Sequence, residues 1–237
     1  MVIVGHRGAR LEAPENTMAG FHHLRNLNIH HVELDIRLSK DHHLMVIHDA
    51  TVDRTTAHKG HVSEHHADSL ANMNAAHNHS EEQKIFGIPR LDDIFRTFPH
   101  LESIQLEVKT TDKDSLELIA TLLVDMINHY NIQSKAIITS SDTFLLAVIQ
   151  RKYPTAKKGY VAERFSRNPI GTCQRYHCQY LVVNWHRCNA ELIKQAHAAN
   201  LHVSTWTVNK INVAKKLKAL QVDSLITDVP SLMLTHL

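Results

Sequence analysis

A (β/α)8 barrel of the TIM type, in the α/β class, follows from three features of the sequence. Eight short β-rich runs are spread along it, helical patterns lie between them, and the chain has 237 residues, close to the ~250 that such a barrel takes. Eight units of about 30 residues each match the period of a parallel βα repeat. The rival architecture, a doubly wound open sheet, is favoured by a G-x-G-x-x-G turn after the first strand, and the sequence has none there.

Val2–Val4 is the first predicted strand and Val32–Ile36 the second. Leu44–Ile47 reads as a hairpin partner of the second, with Lys40-Asp41-His42 as its turn. Residues 50–89 are rich in His, Asn, Ser and Glu and show little apolar periodicity. They read as a partly helical excursion ending at Ile88-Pro89, and excursions this long inside a compact domain are usually functional or mobile. The remaining strands are Ile104–Val108, Ala136–Thr139, Lys158–Val161, Tyr180–Val183, His202–Thr205 and Ser224–Thr227. Leu116, Ile119, Leu122, Leu123, Met126 and Ile127 recur at helical spacing, as do Leu192, Ile193, Ala196 and His197 after Asn189, a ready N-cap. A single domain over 1–237, with the excursion as an insertion, is the expected organisation.

Composition narrows the function classes. Hydrophobic residues make up 43% and charged residues 21%, and the net charge is +2. With no Lys/Arg tract, that balance does not point to nucleic acid. The N-terminal MVIVGHRG lacks the charged and apolar regions of a signal peptide. No apolar run approaches the ~18 residues of a membrane helix. A cytoplasmic protein acting on a small molecule, without membrane insertion, is expected. Cys173, Cys178 and Cys188 form no CxxC pair and read as small packed residues rather than a redox or metal site.

Histidine is abundant, at 21 residues, and glycine scarce, at 7. Histidine pairs stand at His22-His23, His30-His31, His42-His43 and His65-His66, with His77 and His79 beyond. Adjacent residues point apart on a helix or strand and make no chelating face. A surface role is the first reading, and a histidine-rich metal-handling protein the alternative. Acidification towards pH ~5 charges most such side chains.

In this fold, reacting groups sit at the C-terminal ends of the strands. Those ends read Gly5-His6-Arg7-Gly8, Glu33-Leu34-Asp35, His48-Asp49, Glu107-Val108-Lys109 and Trp206-Thr207-Val208-Asn209. Residues i and i+2 of a strand share a face, so Glu33 and Asp35 face one way, with Glu107 on the neighbouring strand. Unpaired, they repel; Mg²⁺ or Ca²⁺ would resolve the repulsion. The alternative is a structural ion-pair network with Lys109 or Arg7. His6 and His48 are candidate proton-transfer groups. Two cations, a metal and two histidines suit a phosphate ester, whose phosphoryl oxygens need their charge stabilised.

The motifs His6-Arg7-Gly8, Pro14-Glu15-Asn16-Thr17, Glu33-x-Asp35, His48-Asp49, Arg54-Thr55-Thr56, Ile88-Pro89-x-Leu91, Glu107-x-Lys109, Trp206-Thr207-Val208-Asn209 and Thr227-Asp228-x-Pro230 run in one order from residue 6 to 230. In this the chain resembles the glycerophosphodiester phosphodiesterase family of phospholipase-C-like barrels. The resemblance implies metal ligands at Glu33, Asp35 and Glu107 and a catalytic pair at His6 and His48. It also implies phosphate contacts at Arg7 and Lys109, supporting roles for Glu15 and Asn16, and a Trp206 wall beside the glycerol or alcohol part. A core aromatic capping the barrel mouth is the other reading of Trp206. Asp228 reads as a turn residue. Lysophospholipase-D-like cleavage, or release of a cyclic phosphate, is the nearest alternative activity. The sequence departs from the family pattern at His42 and Asn200, where glycine is common, and at Ala57-His58-Lys59-Gly60-His61, where the family is glycine-rich. Asn is the next best residue for a left-handed helix cap.

Overall fold

The structure is a computed structural model and describes residues 1–77, 85–110 and 112–237. The described residues form nine strands: β1 (Val2–His6), β2 (His31–Leu38), β3 (Leu44–Val46), β4 (Ser103–Val108), β5 (Ala136–Ser140), β6 (Lys158–Ala162), β7 (Tyr180–Asn184), β8 (His202–Trp206) and β9 (Ser224–Thr227). Eight of them are parallel, and β1 pairs with both β9 and β2, which closes the sheet into a barrel. The predicted (β/α)8 fold is therefore the one observed. β3 pairs antiparallel with β2 outside the ring, with Leu38 opposite Leu44, as the hairpin reading required.

Each strand alternates. Val32, Leu34 and Ile36 of β2, Ile104, Leu106 and Val108 of β4, and Leu181 and Val183 of β7 face the helices. The residues between them face the barrel axis, where Val4, Val161, Val182 and Ile226 make a small apolar plug. Above the plug the axial positions turn polar. Gln105 of β4 donates from Nε2 across the barrel to Ser204 Oγ of β8 at 3.0 Å. The observed strands mostly run one or two residues past the predicted ends, to His6, Leu38, Ser140, Ala162, Asn184 and Trp206. Of these terminal residues, His6 and Trp206 line the pocket at the barrel mouth.

The helices are α1 (Met18–Asn26), α2 (Ala67–Asn72), α3 (Leu91–Thr97), α4 (Leu116–His129), α5 (Thr143–Lys152), α6 (Pro169–Arg175), α7 (Ala190–Ala198), α8 (Ile211–Ala219) and α9 (Pro230–His236). Asn189 caps α7 as predicted, accepting from Leu192 N–H at 2.9 Å. Five helices are followed by a non-glycine residue at positive φ: Asn28, Asn131, His177, Asn200 and Gln221. The left-handed cap expected at Asn200 is among them. These positions usually take glycine, which accounts for part of the low glycine count.

The described part of 50–89 is better organised than its sequence suggests. Thr51 and His61 form an antiparallel bridge, Val62–Glu64 make a 3₁₀ turn, and α2 follows. Val52, Val62, Ala67, Leu70, Met73, Ala75 and Ile88 pack with Met45 and Ile47 into a satellite core. The apolar positions are spread over turns, so no single period reveals them. Pro89 O accepts from Val46 N–H at 2.8 Å, returning the excursion onto β3. His79 lies outside the described residues. Cys173 and Cys178 are buried and Cys188 half-buried, all as free thiols, consistent with packed residues.

Candidate active site

The carboxylates come together as their spacing demands. Glu33 and Asp35 on β2 and Glu107 on β4 each offer an oxygen, and the three oxygens lie within 4.8 Å of one another. Asp35 stands directly beside Glu107 in the β2–β4 register. Glu33 and Asp35 are almost completely buried, at 3% and 1% exposure.

The two readings left open by the sequence are both present. Lys109 Nζ lies 2.5 Å from Glu107 Oε1 and 3.3 Å from Asp35 Oδ1, and Arg7 Nε lies 3.0 Å from Asp35 Oδ2. Two cations therefore face three carboxylates, and the imbalance falls on Glu33. Burial, with Asp35 and Glu107 alongside, pushes the Glu33 carboxyl well above its ordinary range. Burial also raises Glu107, against the pull of Lys109. At Asp35, burial is outweighed by Arg7 and Lys109, which hold it below the usual range. Glu33 Oε1 is a buried oxygen without a hydrogen-bond partner. An unpartnered carboxylate oxygen inside an all-oxygen cluster fits a hard divalent cation.

Arg7 reaches this cluster through an unusual turn. Arg7 and Gly8 follow β1 with φ of +51° and +87°. A Cβ at Gly8 would also press on the Gly20 backbone at 3.0 Å, so glycine is required there. The turn aims the Arg7 N–H at Glu33 Oε2, 3.1 Å away. Asn16, also left-handed with φ of +53°, donates from Nδ2 to Asp35 Oδ2 at 3.0 Å.

Both histidines line one pocket of about 260 Å³ with Glu33 and Glu107, and Lys109 and Trp206 line it too. Each is backed by a carboxylate. His6 Nδ1 is 2.5 Å from Asp228 Oδ1, and His48 Nδ1 is 2.6 Å from Asp49 Oδ1. Such a bond fixes the tautomer and leaves Nε2 as the working nitrogen. His6 Nε2 lies 3.8 Å from Glu33 Oε2. Burial lowers the His48 pKa, against the pull of Asp35.

Asp228, read from sequence as a turn residue, is thus the partner of His6. Asn209 Nδ2 holds its other oxygen at 2.7 Å. The Thr227-Asp228 motif marked the position, but only the barrel's closure brings residue 228 to residue 6. Arg37 carried no signal at all. Its Nε donates to His48 O at 2.7 Å and its Nη1 to Lys109 O at 3.3 Å, tying two segments of the site together. Glu15 is the hub of the outer layer. Arg54 grips both its oxygens at 2.8 Å, Arg7 donates at 3.0 Å and Arg10 at 3.1 Å. Burial opposes its ionisation, but hydrogen bonding to Arg54 and the charges of Arg7 and Arg54 bring its pKa down to about 2. Arg54 also holds Asp49 at 2.5 Å. Trp206 packs on the apolar plug and also lines the pocket.

A parallel (β/α)8 barrel with buried acids, paired cations and two carboxylate-backed imidazoles at the C-terminal ends of its strands belongs to the class of barrel enzymes. Residues 6–232 match the model of the glycerophosphoryl diester phosphodiesterase family, and the chain belongs to that family. It is 27% identical over 236 residues to a glycerophosphodiester phosphodiesterase of Caldanaerobacter subterraneus subsp. tengcongensis, covering 98% of this chain and 96% of that protein. A glycerophosphodiester phosphodiesterase of Bacillus altitudinis is also 27% identical, over 96% of this chain and 94% of its own length. Among solved structures, a phosphodiesterase from Oleispira antarctica in complex with the product sn-glycerol-3-phosphate superposes with a TM-score of 0.92 at 23% identity, covering 100% of this chain and 96% of that one. The glycerophosphodiester phosphodiesterase of Agrobacterium tumefaciens gives 0.85 at 23% identity, over 99% of both chains. These superpositions support the fold. Among the described residues, no helix is long and apolar enough to cross a membrane.

Proposed function

We propose that residues 1–237 act as one catalytic domain, a metal-dependent glycerophosphodiester phosphodiesterase that releases sn-glycerol 3-phosphate and an alcohol. The observation that carries this reading is the pair of His–Asp dyads facing one pocket around three clustered carboxylates. Glu33, Asp35 and Glu107 would hold the ion, Ca²⁺ or Mg²⁺, and when bound it neutralises their charge and polarises phosphoryl and hydroxyl oxygens.

The chain's own residues then supply two proton transfers. His6 Nε2, left as an acceptor by the bond from Nδ1 to Asp228, takes the proton of the glycerol 2-hydroxyl. That oxygen attacks phosphorus and the bond to the alcohol breaks. His48 Nε2, protonated, gives its proton to the departing alkoxide. The five-membered cyclic phosphate is opened by water, which loses a proton to His48 while His6 returns its proton to the glycerol 2-oxygen. Arg7 and Lys109 stabilise charge on the phosphoryl oxygens, Glu15 and Asn16 orient Arg7 and Asp35, and Trp206 shields one side of the ester.

A coupled assay for glycerol 3-phosphate tests this across choline, ethanolamine, inositol and glycerol head groups, with and without chelator. Release that stops on chelation and returns with Mg²⁺ or Ca²⁺ is expected. No release from any head group would overturn the reading. Phosphorus NMR of the product separates hydrolysis from a reaction that ends at the cyclic ester.

A further inference from the structure

A second cavity, about 470 Å³, lies beyond Trp206, lined by Arg164, Asn184, His186, Arg187 and Trp206. Trp206 lines both this cavity and the catalytic pocket. The two sides of that indole differ in chemistry. The catalytic side mixes charges, with Glu33, Glu107, His6 and His48 beside Arg7, Arg10 and Lys109. On the other are two guanidiniums, an imidazole and an amide, and no carboxylate lines the cavity.

The cations of the niche are also left uncompensated. Arg7, Arg10, Arg54, Arg90, Arg96 and Arg151 all pair with carboxylates. Arg164 and Arg187, like Arg25, Arg37, Arg167 and Arg175, form no ion pair with a carboxylate among the described residues, and of these only Arg164 and Arg187 line this cavity. Arg187 is nevertheless fixed. Its Nη1 donates to Glu163 O and its Nη2 to Ser166 O, each at 2.6 Å, which pins the loop after β6 and leaves its other N–H groups available. Arg164 rests against the Phe165 ring, 5.8 Å from its centroid. His186 stacks on Trp185 with centroids 3.6 Å apart, and its Nδ1 is bound to Asn184 Oδ1 at 2.8 Å. Its Nε2 therefore remains for a ligand.

We propose that this niche is the subsite for the alcohol moiety and that it selects alcohols carrying a second phosphate group, held by Arg164 and Arg187 with His186. The inference rests on the phosphodiesterase reading of the neighbouring pocket. Guanidinium is the side chain that recognises phosphate with paired, directional N–H donors. A subsite remote from the reacting phosphorus, contributing equally before and during reaction, lowers KM and leaves kcat unchanged.

The test compares glycerophosphoglycerol with bis(glycerophospho)glycerol, whose alcohol side carries one further glycerophosphoryl unit and with it a second phosphate charge; the Arg164 variants separate the effect of that charge from the effect of size. KM for the second is expected to be lower by about tenfold or more, with kcat similar. Arg164→Gln should abolish the difference by raising KM for bis(glycerophospho)glycerol alone, and Arg164→Lys should restore part of it. Isothermal titration of both probes into His48→Ala, with and without Arg164→Gln, supplies a readout independent of turnover. Equal KM and Kd for the two probes, or a preference unmoved by Arg164→Gln, would overturn the subsite. A Kd preference that depends on Arg164, in a protein that turns over neither probe, would uphold the niche while overturning the phosphodiesterase reading.

Discussion

The two His–Asp dyads use the same side chains in opposite settings. His6–Asp228 joins residues 222 positions apart, on the first strand and after the last, and both partners are buried. His48–Asp49 joins neighbours in sequence, and about a third of each side chain is exposed. Asp228 is held by Asn209, inside the barrel wall. Asp49 is held by Arg54, from the excursion between β3 and α3. The inner dyad sits 3.8 Å from an acid of the cluster. In the proposed mechanism the inner dyad takes the proton of the glycerol hydroxyl, and the outer one serves the departing alcohol and the entering water. A barrel closed by its first and last strands makes the inner dyad rigid, while the outer one depends on an appended segment.

Substituting the histidines breaks the comparison most sharply. His6→Ala and His48→Ala should each lower kcat by about 10²–10⁴. Repeating the assay on a glycerophosphodiester with a p-nitrophenol leaving group, which needs no proton, separates them. His48→Ala should recover most of its loss and His6→Ala none; the reverse pattern would exchange their roles. The partner acids come next. Asp228→Asn should cost about 100-fold in kcat and Asp49→Asn about tenfold, because water can replace only the exposed carboxylate. Equal losses would show that burial does not distinguish the dyads.

The acid cluster predicts a stability gain together with a functional loss. A carboxyl whose pKa is raised by folding destabilises the native state wherever it is forced to ionise. Glu33→Gln should therefore raise the Tm of the metal-free protein at pH ~8. The same variant should lose Mg²⁺ and Ca²⁺ binding by titration calorimetry; a Tm that falls would contradict the electrostatic account. The outer layer shifts stability with the opposite sign. Glu15 titrates at about 2 in the folded chain against an ordinary 4.5, so its contribution is complete above about pH 4.5 and lost as the pH falls towards 2. Glu15→Gln should lower Tm at neutral pH and flatten the decline in Tm between those values. An unchanged slope would mean that the arginine hub does not stabilise the fold.

Legibility followed the range of the interactions. Glu33 and Asp35 share a face because a strand has period two, and Glu107 joins them because β2 and β4 are neighbours. Both facts were visible as spacing. Asp49 was visible as the residue next to His48. Arg37 was not, because it acts on the main-chain carbonyls of His48 and Lys109, and a carbonyl carries no sequence signature. The satellite core under the excursion was missed for a related reason: its apolar residues are arranged by turns with no repeating interval.

By itself the sequence determined the barrel, the strand order of its acids and histidines, and the family, because hydrophobic period and local spacing survive in one dimension. Only the tertiary structure decided that Asp228 serves His6, that Glu33 is the carboxylate left without a cation, and that Trp206 lines both the catalytic pocket and the niche of Arg164 and Arg187. Those outcomes depend on ring closure and on competition among charges for the same partners, and neither quantity exists until the chain ends meet and the site is buried.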